Sequence, residues 1–283
     1  MGAVTAVWHS AGMAEVPAGD DWLSEREAAR VAGMRYPKRR SEFRLGRWTA
    51  KTTIAGVLRL AADPLDLSAL EIASAPGGAP DPRVGGATAP VSISMTDRAD
   101  WAVCLASTER VALGCDLELV EPRSDGFVAD YLTPAEQRLV HGAGPERDLV
   151  ANLVWSAKES ALKVLRVGLR RATRSVEVTL DGWGAVAGFA GAPAVAGSDA
   201  AAGTAPDAGT AGGWSALRVR DEHSGATFPG WFCRFGDFLL TVAAAEPITA
   251  PDPLVQPPPL AAAVPTHAWM GTVPSGRIAS HRS

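Results

Sequence analysis

Two long stretches of this chain are made of residues that do not build a packed core, and they restrict where a fold can form. Residues 188–213 are mostly Ala, Gly, Pro, Ser and Thr, and residues 247–283 are rich in Pro and Ala without a periodic pattern. Such segments bury too little apolar surface to offset the entropy cost of ordering them. We expect an insertion between two strands at 188–213 and a disordered tail at 247–283.

The remaining segments contain a succession of helix and strand patterns. Apolar residues at helical spacing predict helices over residues 37–61 and 147–165. Alternating or continuous apolar runs predict strands that include residues 101–106 and 111–120. The patterns fall into two comparable groups, before and after about residue 108.

The first of these helices carries a basic stripe. Its members recur at i, i+4, i+7 and i+11 and are Arg40, Arg44, Arg47 and Lys51. An ordinary solvated helix face is compatible with this pattern. Like charges one turn apart repel each other, however, and an anionic partner would relieve that repulsion.

The strand pattern at residues 111–120 contains acids that a core strand does not need. Alternation places Asp116 and Glu118 on one face and Cys115 and Leu117 on the other. Two carboxylates at i and i+2 are roughly 7 Å apart at the backbone, so their side chains can converge on one cation. The wet face of a half-exposed antiparallel strand would produce the same pattern.

The second helix places an acid beside an aromatic residue. Trp155, Glu159 and Lys163 fall on one face at i, i+4 and i+8, and Lys158 lies on the adjacent face. An acid beside a large aromatic is partly buried and needs a counter-charge. An ordinary surface pair between Glu159 and Lys163 is the alternative interpretation.

Together, the two acidic segments resemble the signature pair of the Sfp-type 4′-phosphopantetheinyl transferases. That pattern is roughly G-[VIC]-D-x-E followed by W-[ST]-x-K-E-[AS]-x-x-K, and residues 114–118 and 155–163 contain every fixed position. Residues 39–51 resemble the basic helix of the family, and residues 228–241 resemble its closing strands. The resemblance covers about residues 1–245.

The resemblance implies an α+β fold with two similar α/β subdomains in a pseudo-twofold arrangement and the active site in the cleft between them. The expected subdomains are residues 1–108, which would hold the nucleotide of coenzyme A, and residues 109–246, which would hold the metal. The implied reaction moves 4′-phosphopantetheine from coenzyme A to a serine of an apo acyl or peptidyl carrier protein. It requires Mg²⁺ and releases 3′,5′-ADP.

The resemblance also implies roles for individual residues. The implied Mg²⁺ ligands are Asp116, Glu118 and Glu159. The implied contacts to coenzyme A are Arg40, Arg47, Lys51, Thr96, Arg98, Lys158 and Lys163, of which Lys163 would stabilise the leaving phosphate. The proton acceptor for the serine would be Glu159 or Glu136, although Glu136 also has a structural explanation as the closing residue of a capping box begun by Thr133.

The sequence departs from the family where relatives have Ser-His-Ser before the Asp-x-Glu strand. One register places Thr96, Asp97 and Arg98 over that motif, so that Arg98 would replace the missing histidine cation. Another register places Met95 over the histidine, which would leave no donor. A second departure is Gly78-Ala-Pro, where relatives often have Gly-Lys-Pro.

Composition excludes several other classes of protein. The net charge is −4, which argues against nucleic acid as the main partner. The three cysteines and five histidines show no zinc-ligand spacing, and no apolar stretch reaches membrane-spanning length. We therefore expect a soluble, cytoplasmic protein, and the family resemblance implies that it is a monomer. The alternatives to a transferase are a Mg²⁺-dependent phosphohydrolase and a catalytically impaired relative that only binds coenzyme A.

Overall fold

The computed structural model of the protein describes residues 2–180 and 213–265. It has the mixture of helices and sheets of an α+β fold, as predicted. Apart from residue 213, the predicted insertion at 188–213 lies outside the described residues, as does the predicted tail after residue 265. No helix in the two described ranges has the length and hydropathy needed to cross a membrane.

The N-terminal half is a sheet covered by one long helix. Its strands are β1 (Val7–Gly12), β5 (Ser92–Arg98), β6 (Trp101–Ser107) and β12 (Asp252–Pro253), in the order β12-β1-β6-β5. Helix α2 (Pro37–Leu58) packs on this sheet, and the shorter helices α1 (Glu25–Ala32) and α3 (Pro64–Ala69) flank it. A small separate sheet contains β2 (Leu70–Ser74), β3 (Pro80–Val84) and β4 (Ala87–Thr88).

The C-terminal half repeats the arrangement of a sheet under a long helix. Its antiparallel strands are β7 (Leu113–Leu119), β8 (Val176–Leu180), β9 (Ser215–Asp221), β10 (Thr227–Phe235) and β11 (Phe238–Ala244), in the order β7-β11-β10-β9-β8. Helix α6 (Arg147–Val164) packs on β7 and β11. Helices α4 (Asp125–Tyr131) and α5 (Pro134–Gly142) lie before it in the chain.

The two sheets pack against each other, and the long helices cover the outer faces. In β6, Val103 and Leu105 belong to the core between the sheets, whereas Cys104 and Ala106 belong to the core under α2. In β7, Cys115 and Leu117 enter the same central core. The period of two therefore turns Asp116 and Glu118 toward α6, on the face that the sequence predicted for them.

Each half contains a buried Lys–Glu ion pair with equivalent partners. Glu27 closes the capping box of α1 with Ser24, accepts a hydrogen bond from the Ile72 backbone, and forms an ion pair of 2.6 Å with Lys51 of α2. Glu136 closes the capping box of Thr133, accepts from the Val178 backbone, and pairs with Lys158 at 2.7 Å. Each lysine also donates to two backbone carbonyls. In both halves the buried ion pair and its hydrogen bonds therefore connect two helices and a strand.

The halves meet where the edge strands β5 and β7 lie side by side. The Ser94 hydroxyl accepts the Cys115 N–H at 3.0 Å, and the Thr96 hydroxyl accepts the Leu117 N–H at 3.1 Å. Side-chain hydroxyls thus satisfy backbone donors at the edge of β7 that has no strand partner within its own sheet. This contact brings β5 directly beside the acids of β7.

The prediction of a disordered tail is wrong for residues 247–265. Val4 bridges Ile248, β12 pairs in parallel with β1, and Leu260 is fully buried in the central core. The Trp231 indole donates to the Ile248 carbonyl at 2.9 Å. The composition of this segment did not predict that it is ordered. A few apolar residues and pairing with the free edge of β1 are enough to bind an otherwise Pro-rich segment.

Candidate active site

Three carboxylates predicted from separate segments come together between β7 and α6. Asp116 and Glu118 lie on β7, and Glu159 lies on α6. Burial and then the nearby Asp116 carboxylate raise the pKa of Glu159 to about 7, with Lys163 opposing the shift and Glu118 adding to it. Burial and Asp116 also raise the pKa of Glu118. These mutual effects show that the three groups share one electrostatic site.

Lys163 neutralises part of this acid centre, by which we mean Asp116, Glu118 and Glu159. Its ammonium donates to Asp116 Oδ1 at 3.0 Å and to the Cys115 carbonyl at 2.7 Å. Burial lowers the pKa of Lys163, but the charge and hydrogen bond of Asp116, together with Cys115 and Glu159, outweigh burial, so the pKa is raised. Lys163 therefore carries a positive charge at neutral pH.

Glu118 is held by other partners. The Trp155 indole donates to its Oε1 at 3.0 Å, and Arg98 and Arg123 each approach its Oε2 at 3.4 Å. Trp155 in turn packs against Phe127 with ring centroids 5.2 Å apart. The interpretation of this strand face as a wet surface is wrong, since only 13% of the Glu118 side chain and 11% of the Asp116 side chain is exposed.

Two oxygens of the acid centre are buried without a partner. They are Asp116 Oδ2 and Glu159 Oε1, and neither has a hydrogen bond within the described residues. Orphaned anionic oxygens at such depth are costly unless a cation or donor meets them. Hard carboxylate oxygens of this kind are the ligands that Mg²⁺ prefers.

The acids do not form a finished metal cage. Across residues 2–180 and 213–265, no group of three or more His, Cys, Asp or Glu side chains is arranged to hold a metal ion. Lys163 binds Asp116, while Trp155 and two arginines bind Glu118. The donor set therefore fits a magnesium ion in its chemistry, while protein cations neutralise part of it here.

Thr96 and Arg98, which the first of the two registers places over the family motif, lie at the acid centre. The Thr96 hydroxyl donates to Asp116 Oδ1 at 3.3 Å. Arg98 pairs with Glu118 and, at 2.6 Å, with Glu121. Arg98 is therefore bound to acids rather than open to a phosphate in this arrangement.

Three residues predicted at the site lie in the core instead. Lys158 and Glu136 are almost fully buried and pair with each other, and Lys51 is buried against Glu27. The phosphate contacts assigned to Lys51 and Lys158 and the catalytic role considered for Glu136 therefore need correction. Each side chain has its polar atoms satisfied inside the fold, where no ligand can reach them.

The rest of the basic stripe is only partly available. Arg44 donates to backbone carbonyls of the 17–19 loop and pairs with Asp20 at 2.8 Å. Arg40 is exposed and donates to the Met34 carbonyl at 2.7 Å. Arg47 pairs with Glu27 at 3.2 Å, stacks on Phe43, and lines a large cleft.

This cleft has a volume of about 1010 Å³ and takes one wall from each half. Its floor includes apolar residues of β5 and the start of β7, such as Ile93, Met95 and Leu113. Lys163 lines it too and therefore connects the cleft to the acid centre. A cleft of this size, with an apolar floor and convergent charged groups, is typical of a ligand site.

Sequence reasoning missed three cations of the cleft, Arg110, Arg166 and Arg170. Arg110 lies in a connection, and Arg166 and Arg170 follow the end of α6. Cations at the end of a helix normally indicate compensation of the helix dipole. Only the contact between the two halves reveals that these three face one cavity.

Comparison with known families gives a match to the 4′-phosphopantetheinyl transferase superfamily over residues 112–198. The matched segment contains β7 and α6, hence the acid centre and Lys163, but less than a third of the chain. No curated protein matches the chain. The match supports phosphopantetheinyl transfer in general, with coenzyme A and carrier proteins as the general class of substrates.

Proposed function

We propose that this protein is a Mg²⁺-dependent transferase of the Sfp type, which moves 4′-phosphopantetheine from coenzyme A to a serine of an apo acyl or peptidyl carrier protein. The observation that carries the proposal is the pair of buried, unpartnered oxygens on Asp116 and Glu159 beside the charged Lys163. A large cleft joins this centre through Lys163, and the superfamily match covers the same two elements.

Asp116, Glu118 and Glu159 would hold the magnesium ion. When bound, the ion supplies positive charge for the diphosphate of coenzyme A, and such transfer depends mainly on positioning and charge stabilisation. Lys163 adds a protein cation at the boundary between acid centre and cleft. In that position it stabilises the charge that develops on the departing 3′,5′-ADP.

Glu159 is the better candidate for the proton acceptor. The serine hydroxyl attacks the β-phosphorus, a new O–P bond forms, and the bond to 3′,5′-ADP breaks with its electron pair leaving on the nucleotide. The hydroxyl proton passes to Glu159, whose Oε1 has no hydrogen-bond partner in the described residues. Glu136 is unsuitable because it is buried against Lys158.

The direct test is a transfer reaction with coenzyme A, Mg²⁺ and a panel of apo carriers from polyketide, nonribosomal-peptide and fatty-acid systems. We expect intact-mass spectrometry to show one phosphopantetheine adduct, and EDTA to prevent it. Phosphate release without a carrier would indicate a phosphohydrolase instead. Binding of coenzyme A without any adduct would indicate the catalytically impaired relative.

A variant at the acid centre tests the residue assignment. Glu159→Ala should abolish transfer while the circular dichroism spectrum stays unchanged, because the carboxylate has no hydrogen bond through Oε1 that the fold needs. Glu222→Ala, at an exposed carboxylate after β9, is the matched control and should keep full activity. Transfer by Glu159→Ala at the wild-type rate would remove Glu159 from the mechanism.

A further inference from the structure

The cleft carries more positive charge than the proposed reaction centre uses. Its charged lining residues are Asp81 and five cations, Arg47, Arg110, Lys163, Arg166 and Arg170. Asp81 is already neutralised by Arg83 at 2.9 Å. The cavity therefore has a net positive lining, which favours an anionic ligand.

Two of these cations have acidic partners and one has neutral partners. Arg47 pairs with Glu27, and Lys163 pairs with Asp116. Arg170 donates to the carbonyls of Gly77 and Val167, at 2.8 and 3.2 Å. Because a carbonyl carries no full charge, the charge of Arg170 is not balanced by these bonds.

The side chains of the remaining two cations, Arg110 and Arg166, make no hydrogen bond or ion pair within the described residues, although the Arg166 backbone N–H donates to the Lys163 carbonyl. Both are exposed at the cleft. An ideal Cβ on Gly114 would lie 1.8 Å from the Ser160 carbonyl, so β7 and α6 touch at this point. Arg110 precedes Gly114 in the chain and Arg166 follows Ser160, so the two arginines extend beyond the β7–α6 contact.

Arg170 fixes the opposite wall of this region. Its bond to Gly77 links the segment after α6 to the turn between β2 and β3. The two segments are in ordinary van der Waals reach there, since a Cβ on Gly77 would lie 3.5 Å from the Arg166 carbonyl. The three arginines are thus exposed residues that line the same cleft.

We propose that Arg110, Arg166 and Arg170 form a second phosphate site, which binds a phosphomonoester apart from the diphosphate at the acid centre. The inference rests on the proposed function, where that group is the 3′-phosphate of coenzyme A. Arginine binds phosphate oxygens with paired N–H donors, and two of these three guanidinium groups have all their donors available. The α2 stripe does not fill this role. Lys51 is buried, Arg44 is engaged by the 17–19 loop, Arg47 is paired with Glu27, and Arg40 is not among the residues that line the cleft.

Binding measurements test the site without the reaction. We would titrate the full chain, without Mg²⁺ or carrier, with adenosine 3′,5′-bisphosphate, AMP and inorganic phosphate in a calorimeter. The bisphosphate should bind on the order of tenfold more tightly than AMP, as expected for a charge-assisted contact. Arg110→Gln and Arg166→Gln should each remove most of this preference, whereas Arg220→Gln, an exposed arginine of β9, should keep it.

Two results would overturn the second site: variants that retain the preference for the bisphosphate, or inorganic phosphate that binds as tightly as the bisphosphate with the same arginine dependence. The latter would indicate a site for free phosphate.

A transfer assay separates this inference from the proposed function. With wild-type protein, KM should be on the order of tenfold lower for coenzyme A than for 3′-dephospho-coenzyme A. The Arg166→Gln variant should raise KM for coenzyme A alone, with kcat unchanged, and an equal rise for both substrates would contradict the assignment. If no adduct forms but arginine-dependent binding of the bisphosphate persists, the proposed function fails and the phosphate site stands.

Discussion

At the scale of single residues, the acid centre combines groups that the protein neutralises with groups that it leaves unsatisfied. Asp116 Oδ1 has Lys163 and Thr96 as partners, whereas Asp116 Oδ2 has none in the described chain. Glu159 Oε1 is also without a partner, and burial raises the pKa of this residue to about 7. A centre of this kind is destabilising as an isolated structure, and it becomes favourable when a cation binds.

The first prediction concerns the pH dependence that Glu159 gives to the metal-free protein. Its pKa is about 7 in the fold, above the ordinary value of 4.5, so folding favours the neutral acid. The unfavourable contribution is absent below pH 4.5 and grows as the pH rises through 4.5 to 7. Relative to Glu159→Gln, the wild type should lose up to about 2 kcal/mol of unfolding free energy over that range, a linkage value reduced for solvent screening.

Urea unfolding in EDTA at several pH values measures this difference. Glu222→Gln is the control, because its carboxylate is exposed and should show no such pH-dependent difference from wild type. Saturating Mg²⁺ should restore stability to the wild type but less to Glu159→Gln. A stability difference that is constant between pH 4.5 and 7 would contradict the assigned shift.

The second prediction concerns the buried pair of Lys158 and Glu136. Lys158→Met leaves Glu136 buried without its counter-charge, and we expect a loss of roughly 3–5 kcal/mol in unfolding free energy. The double variant Lys158→Met/Glu136→Gln should be more stable than this single variant, because it no longer buries an unpaired acid. Denaturant titration of the full cycle provides the measurement. A double variant less stable than Lys158→Met would show that the pair does not act as a unit.

At the scale of elements, the acid centre depends on the close approach of α6 to β7. Gly114 permits this approach, since an added Cβ would lie 1.8 Å from the Ser160 carbonyl. Next to this contact, the hydroxyls of Ser156 and Ser160 both form hydrogen bonds with the Thr241 hydroxyl of β11, at 2.9 and 2.8 Å. The register of helix against strand is thereby fixed, and with it the position of Glu159 relative to Asp116.

The third prediction follows from this contact. Gly114→Ala should lower the unfolding free energy by about 1–3 kcal/mol or more, because backbone atoms must move apart. It should also reduce transfer activity, since α6 carries Glu159 and Lys163 away from Asp116. Gly142→Ala is a matched control, because a Cβ there meets nothing within 4 Å. Thermal melting and the transfer assay would compare the two variants, and equal behaviour would disprove a role for the tight contact.

The elements also show how far the sequence could predict this site. Helical periodicity predicted a helix over 37–61 and one over 147–165, and α2 and α6 end within three residues of those limits. Alternation placed Asp116 and Glu118 on one face correctly. The sequence could not reveal that Lys51 and Lys158 are buried. The position of a lysine in the helical repeat is the same whether its side chain is buried or exposed. Their partners, Glu27 and Glu136, are more than 20 residues distant and are brought near only by the fold.

At the scale of the whole molecule, the two halves share one central core and are joined by the segment after residue 246. This segment passes from the second sheet to the first, where Ile248 bonds Trp231 of β10 and bridges Val4. Farther along, the Leu260 N–H donates to Ser10 of β1 at 3.1 Å. The cleft has one wall from each half. The segment after residue 246, which forms a tie between the two sheets, therefore also maintains the shape of the cleft.

The fourth prediction tests this tie. Leu260 is fully buried among residues of both sheets, so Leu260→Ala should lower the unfolding free energy by about 2–5 kcal/mol, through lost transfer energy and the cavity left behind. Val264→Ala, at a residue 75% exposed in the same segment, should change it by less than about 0.5 kcal/mol. If the segment only rested loosely on the surface, both variants would unfold at the same urea concentration as wild type. Leu260 contacts the core between the sheets and not the acid centre. Its loss should therefore weaken coenzyme A binding, because the cleft walls shift, while Mg²⁺ affinity stays unchanged. Calorimetric titration with coenzyme A and with Mg²⁺ would distinguish these effects.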